Sequence, residues 1–287
     1  HLGAGRVRAA EQICLDLLAL IETYQRRCQQ TPSAASICYT LLGRICLEKG
    51  EAETAIQWGR KSLALNERRS TPDTDPLSLE YLALALVYNG EMEAGERLFQ
   101  RAEQAARGIS TWWWQMSTTL ALDSYLDREP LESPRVQAQL RAAQERGAEI
   151  PSQLQARLLV KEQRPQEALV LISTTLTSLG DQPSSMRVRL LLQRALACQA
   201  LGDEKTALAT LKAALDQAEP EARAFPFVRE GEPMGKLLRR ALAKSISPEF
   251  IRKLLVFLDA QRQRQPSHPV EALIEPLSDR EQEILAL

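Results

Sequence analysis

Side chains able to carry chemistry are sparse in this chain and poorly grouped. Histidine occurs only at His1 and His268, so no interior imidazole is available as a general base or as the middle member of a nucleophilic triad. The five cysteines, Cys14, Cys28, Cys38, Cys46 and Cys198, form no Cys-x-x-Cys pair. With so few imidazoles they cannot supply the ligand set that zinc requires, and a thiolate nucleophile would lack its imidazole partner. The nearest approach to a phosphate loop is Gly231-Glu-Pro-Met-Gly235-Lys236-Leu237. It has one residue too few between its glycines, Pro233 removes an N–H, and Leu237 cannot ligate magnesium, so it reads as a turn into a helix. Trp112-Trp113-Trp114 is the oddest local feature. Neighbouring helical residues point about 100° apart, so all three cannot share one core face. Stacking on a sugar or aromatic effector is one role for them; packing at a junction between repeats or at a dimer contact is the preferred one. No catalytic residue, metal ligand or cofactor site is expected, and the chain does not read as an enzyme.

The elements that position these residues follow from composition and pattern. In 287 residues the chain is 44% hydrophobic and 25% charged, ordinary for a globular protein. Aromatics are only 5%, while Ala, Leu, Gln, Glu and Arg dominate, which favours helix. The net charge of −1 argues against a chain-wide grip on nucleic acid or anionic lipid. The cysteines sit inside helical patterns and read as small buried hydrophobes in a reducing, cytoplasmic compartment. No apolar stretch of membrane-spanning length occurs.

Internal similarity decides the fold. Tyr39-x-x-Leu42-Gly43-x-x-Cys46 is followed by Gly50 and Ala55; Leu79-x-x-Leu82-Ala83-x-x-Leu86 by Gly90, Gly95, Phe99 and Ala102. Ala156-x-x-Leu159 leads to Gln163, Ala168 and Ile172, and Leu191, Ala195 and Cys198 lead to Gly202, Ala207, Leu211 and Ala214. Small residues recur where paired helices would cross, and large ones fill the space between, as in tetratricopeptide repeats. The turns fall at 50, 90, 163 and 202, spaced by 40, 73 and 39 residues, so the long interval hides a degenerate unit turning near 127–130. Ser133-Pro134 would cap its second helix and Gly147 would end it; Pro76 would start a helix after the polar loop 67–74. The expectation is an all-α, right-handed superhelix of tetratricopeptide-like hairpins, each burying a face its neighbour covers.

In tetratricopeptide arrays the first helix of each pair lines the concave surface. That resemblance implies that Arg44, Glu80, Tyr88, Trp114, Tyr125, Arg157, Lys161, Arg189 and Gln199 face the groove, where charges and aromatics could hold a polar effector.

Two later motifs carry a more specific resemblance. Between Phe225 and Leu238, residues Phe227, Val228, Glu230, Gly231, Met234, Leu237 and Leu238 match a run near the end of the helical-repeat domain of MalT-like regulators, a branch of the LuxR family. Pro276-Leu-Ser-x-Arg-Glu-x-Glu-Ile-Leu-x-Leu287 resembles the opening of the LuxR-type helix-turn-helix domain, with Ser278 and Glu281 forming a capping box. The chain begins without Met and ends inside the helix this box starts, so it is expected to be an internal segment. Residues 1–263 would be the repeat sensor domain, 264–275 a linker with Pro266 and Pro269, and 276–287 the start of the DNA-binding domain. From Glu221 to Arg264 ten basic residues face five acidic ones, which reads as a solvated helix face near that domain.

The resemblance implies an upstream ATPase module, so ATP would bind there and not in this segment. It also implies a sugar-like small molecule or a protein as effector, self-association of the full-length protein, and DNA contact only through the C-terminal domain. The mechanism expected is a population shift, with effector favouring an open, self-associating state. The alternative is a passive scaffold whose groove holds a partner peptide or an inhibitor protein.

Overall fold

A computed structural model describes residues 2–28, 31–67, 76–109, 111–145, 147 and 149–264, with backbone alone at 108, 109, 111–113 and 264. The described residues form fourteen α-helices, one short 3-10 turn and no strand. A first helix, α1 (Val7–Cys28), packs on α2 (Ala34–Lys49). Five hairpins then follow: α2 with α3 (Ala52–Glu67), α4 (Pro76–Tyr88) with α5 (Met92–Ile109), α6 (Thr111–Tyr125) with α7 (Pro134–Glu145), α8 (Ser152–Lys161) with α9 (Pro165–Leu179), and α10 (Ser185–Ala200) with α11 (Glu204–Ala218). Each second helix that packs onward does so on the next first helix, as α3 does on α4, and α2, α4 and α6 touch one another in turn. This is the expected superhelix of stacked hairpins. The residues expected to form most of the linker and the start of the helix-turn-helix, from 265 onward, lie outside the described set.

Four turns share one geometry, which is why they repeat in the sequence. In each, the residue after the turn donates its N–H to the carbonyl five positions back: Glu51 to Cys46, Glu91 to Leu86, Arg164 to Leu159 and Asp203 to Cys198, at 2.8–3.0 Å. The motif needs a residue with positive φ before that donor. Gly50, Gly90 and Gly202 supply it at 86°, 95° and 79°, and Gln163 adopts 58° despite its side chain. The degenerate unit is α6–α7, where Ser133 Oγ accepts from the Arg135 N–H at 3.3 Å.

Inner and outer helices differ in pattern because they differ in what surrounds them. Leu82 to Tyr88 of α4 are all buried, since that helix is packed on several sides. On α5 only one stripe is buried, Gly95, Phe99, Ala102 and Ala106, at heptad-like spacing. Gly95 lets α5 approach α4 closely: a Cβ there would lie 2.5 Å from Val87 Cγ2 and 2.9 Å from the Ala83 carbonyl oxygen. Among the tryptophans, Trp114 is buried in the packing.

After α11 the chain turns through Glu219–Glu221 into α12 (Phe225–Val228), α13 (Gly231–Ala243) and α14 (Pro248–Arg264). The Phe-Val-Arg-Glu-Gly run is core: Phe227, Met234, Leu237 and Leu238 are fully buried, and Phe227 meets Phe250 edge to face at 6.1 Å. Gly231-Glu232-Pro233 opens α13, as expected for a turn into a helix. Cys14, Cys38, Cys46 and Cys198 are buried as expected, but Cys28 is exposed at the end of α1. Burial pushes the Cys46 thiol up to about 12 and the Cys14 thiol up to about 11, so both stay protonated and unreactive at neutral pH. No described helix is long and apolar enough to cross a membrane.

Gly95→Ala is therefore expected to destabilise the fold by about 1–3 kcal/mol through overpacking, although alanine favours helix. Urea unfolding followed by circular dichroism checks it; an unchanged or raised midpoint would contradict the close approach of α4 and α5.

Candidate functional site

The concave side of the array is not an empty groove, because the chain after α11 turns back into it. The Ala224 N–H donates to the Glu48 carbonyl oxygen of α2 at 2.8 Å, and Arg223 donates to the Glu48 carboxylate at 3.1 Å. Phe225 packs edge-on against Tyr88 of α4, with ring centroids 4.7 Å apart. Residues 223–230 thus run along the axis, touching first helices from both halves of the superhelix.

This segment is anchored by a buried ion cluster. On α6, Asp123 accepts from Arg157 at 2.7 Å, Arg229 at 2.5 Å and Arg189 at 3.1 Å. One helical turn on, Asp127 accepts from Arg157 at 2.6 Å and Arg229 at 3.0 Å, and also from the Tyr88 hydroxyl. Arg157 further donates to Glu230 at 3.2 Å. Arg157, Arg229 and Asp127 have side chains at most 5% exposed, so these charges persist only because each is answered. Burial alone would raise the Asp123 carboxyl, but Arg229, Arg157 and Arg189 together hold it well below the usual range. Burial acts the same way on Glu48, and Arg223, Arg189 and Arg44 again outweigh it. Tyr88 is pushed well above its ordinary value by burial and then by Asp127, so its phenol stays a donor.

Beside the cluster lies a cavity of about 310 Å³ between α2, α4, α6 and α10. Its polar wall comprises Arg44, Glu48, Tyr81, Asp123, Arg189 and Arg229; its apolar wall includes Leu84, Met186 and Phe225. A second cavity of about 280 Å³, between α8, α10 and α13, is lined by Lys161, Gln163, Gln193, Gln199 and Glu230. Burial, and then Arg157, lowers the Lys161 pKa there.

The nine residues expected to face one groove are therefore divided. Arg44 and Arg189 share the first cavity, and Lys161 and Gln199 the second. Arg157 and Tyr88 lie in the ion cluster, where they hold structure. Tyr125 is buried, with its hydroxyl donated to Glu96 at 3.0 Å. Glu80 and Trp114 are buried and line neither cavity. The basic tract from Glu221 to Arg264 is also thinned, because Arg223 and Arg229 are inside and paired. Sequence reasoning missed Glu48, Asp123, Asp127 and Tyr81. Asp123 and Asp127 left a usable signal: two carboxylates one turn apart in the apolar run Leu120-Ala-Leu-Asp-Ser-Tyr-Leu-Asp127.

An all-helical array of this kind, with its own C-terminal segment packed along its first helices, defines a tetratricopeptide-like superhelix with open cavities between those helices. A family model described as the MalT-like TPR region matches residues 1–244, and the chain belongs to that family. No curated protein matches the chain.

Asp123→Asn should leave three guanidiniums short of charge and destabilise the fold by about 3–5 kcal/mol. The pH dependence has a definite sign. Carboxyls held low when folded stabilise fully above the unfolded value of about 4 and lose that contribution as pH falls through the lowered folded values. Wild-type stability is thus expected to drop steeply below about pH 4, and Asp123→Asn to flatten that acid limb. Denaturant titrations across pH measure both, and an unchanged acid limb would show that Asp123 does not carry it.

Proposed function

We infer that this chain is the signal-sensing segment of a LuxR/MalT-like transcription regulator, and that its effector enters the cavity bounded by α2, α4, α6 and α10. Membership of the MalT-like TPR family and the Phe227–Leu238 match support the first part. The observation that carries the second is the cavity itself, whose wall takes Arg44 from the first hairpin and Arg189 from the last. In this reading the chain is cytoplasmic and not an enzyme, and ATP hydrolysis belongs to an upstream module. DNA contact belongs to the domain whose opening residues 276–287 resemble, and copies self-associate in the full-length regulator.

The cavity also bears on direction. Because both ends of the array form its wall, an occupant holds those ends together and favours the closed superhelix. That reverses the expectation that effector selects an open form. The closed superhelix would then be the state in which the flanking domains assemble on DNA.

The alternative, a passive scaffold for a partner peptide, is less well supported. Residues 223–230 already occupy the axial track along which an extended peptide would lie.

A promoter assay of a full-length regulator carrying this segment tests the reading. The effector dose for half-activation should rise at least about tenfold in Arg44→Ala, a loss of roughly 1.4 kcal/mol. An effector that activates the regulator yet neither binds this chain in calorimetry nor responds to Arg44→Ala overturns the sensor assignment.

A further inference from the structure

We propose that the cavity between α2, α4, α6 and α10 receives the oxyanion of a small molecule, a carboxylate or phosphate on a short apolar body, at Arg44 and Arg189. This rests on the effector reading above and specifies the effector's chemistry.

Charge placement is the first argument. The cavity wall carries three guanidiniums, Arg44, Arg189 and Arg229, against two carboxylates, Glu48 and Asp123. Both carboxylates are already engaged. Glu48 is held by Arg223 at 3.1 Å, and Asp123 is shared among Arg157, Arg229 and Arg189. Arg44 has no carboxylate of the described residues within ion-pair distance; its guanidinium lies over the Tyr81 ring, 5.4 Å from the centroid. Among the described residues Arg189 has only a share of one Asp123 oxygen, which Arg229 approaches more closely. Burial and the neighbouring Arg229 accordingly disfavour the charge on Arg189, against the pull of Asp123 and Glu48. The wall is therefore short of negative charge at these two donors. A guanidinium offers paired N–H groups that fit a carboxylate or phosphate.

The rest of the wall narrows the ligand. The Gln153 side-chain oxygen is buried without a hydrogen-bond partner, and an amide turned about its last bond would offer its N–H instead. Leu47, Leu84, Leu120, Met186 and Phe225 supply an apolar lining. A neutral polyhydroxylated ligand would leave the positive surplus unanswered and its hydroxyls facing these apolar groups. At about 310 Å³ the space is at the small end for ligand sites.

Arg44 makes no ion pair among the described residues, so replacing it should not unfold the chain as Asp123→Asn would. Calorimetric titration of the 287-residue chain with inorganic phosphate, hexanoate and the neutral isostere hexanamide, at matched ionic strength, tests the proposal. At least one anion is expected to bind with Kd of about 1 mM or tighter, and hexanamide at least about tenfold more weakly than hexanoate. Arg44→Gln should weaken the anion about tenfold or more, while Arg240→Gln, on an exposed stretch of α13, should match the wild type. Hexanoate preferred over phosphate identifies the carboxylate class, and the reverse identifies phosphate. The proposal is overturned if neither anion binds, if hexanamide binds as tightly as hexanoate, or if Arg44→Gln binds as the wild type does. Such a result leaves sensing by an uncharged effector standing, whereas an activating effector that bypasses this chain removes the sensing role.

Discussion

Asp123 accepts hydrogen bonds from three arginines that arrive from three parts of the chain: Arg157 on α8, Arg189 on α10 and Arg229 just after α12. Its backbone carbonyl accepts from two of them as well, at 2.9 Å each. A carboxylate so placed cannot tolerate the loss of its partners, nor they of it, because several kcal/mol of desolvation per ion must be offset by geometry. The cluster does not make the protein stable in the way an apolar core does. It fixes which arrangement is stable: only when α6, α8, α10 and the axial segment are in register are all these charges answered. A slipped hairpin would strand at least one guanidinium. That requirement selects one superhelical curvature from the many that stacked hairpins allow.

The hairpins themselves rest on cheaper physics. Four of the five turns are closed by a single backbone pattern, and pairs approach through small residues such as Gly43, Gly95 and Ala195. Contacts of this kind are local, so the array forms from neighbouring units. Closure by the axial segment is different in kind, since Arg229 and Asp123 are 106 residues apart and Arg223 and Glu48 are 175 apart.

That contrast explains how much was legible in the sequence. Gly50, Gly90, Gln163 and Gly202 marked the turns because φ and hydrogen-bond pattern constrain residue type on the spot. Even Gln163, where no glycine stands, kept the spacing. The 73-residue interval between turns revealed the degenerate unit, and Ser133-Pro134 marked the start of its second helix. The nine-residue groove was less legible. Placing Arg157 and Tyr88 on an inner face was reasonable from helical position, but what met them there was the chain's own segment, 73 residues beyond Arg157 at Glu230. No periodicity encodes that return. The Phe-Val-Arg-Glu-Gly run marks the family in the sequence, and its physical reason is that Phe227 fills the core and Arg229 and Glu230 complete the ion cluster.

Contacts between residues 2–8 and the C-terminal half bring both ends of the array to one place, so an occupant of the cavity between them would be consequential. Ser185 at the start of α10 donates its N–H to the Gly3 carbonyl at 3.1 Å and its hydroxyl to Leu2 at 2.8 Å. The Arg8 N–H reaches Glu221 at 2.9 Å. These contacts of residues 2–8 are partly exposed, each hydrogen bond contributing roughly 0.5–1.5 kcal/mol, whereas Arg223–Glu48 joins α2 to the axial segment as a buried pair. A ligand that requires both ends, present at a hundred times its Kd, adds about 2.7 kcal/mol to the closed form. The two quantities are of similar size, so an occupant of the cavity, whose wall includes Gly3 and Ser185, would have enough free energy to decide whether residues 2–8 stay docked on α10. The deeper cluster around Asp123 is held by far stronger terms and would not move. Signalling of the kind proposed would then act at the seam between residues 2–8 and α10, where these weaker contacts border the cavity.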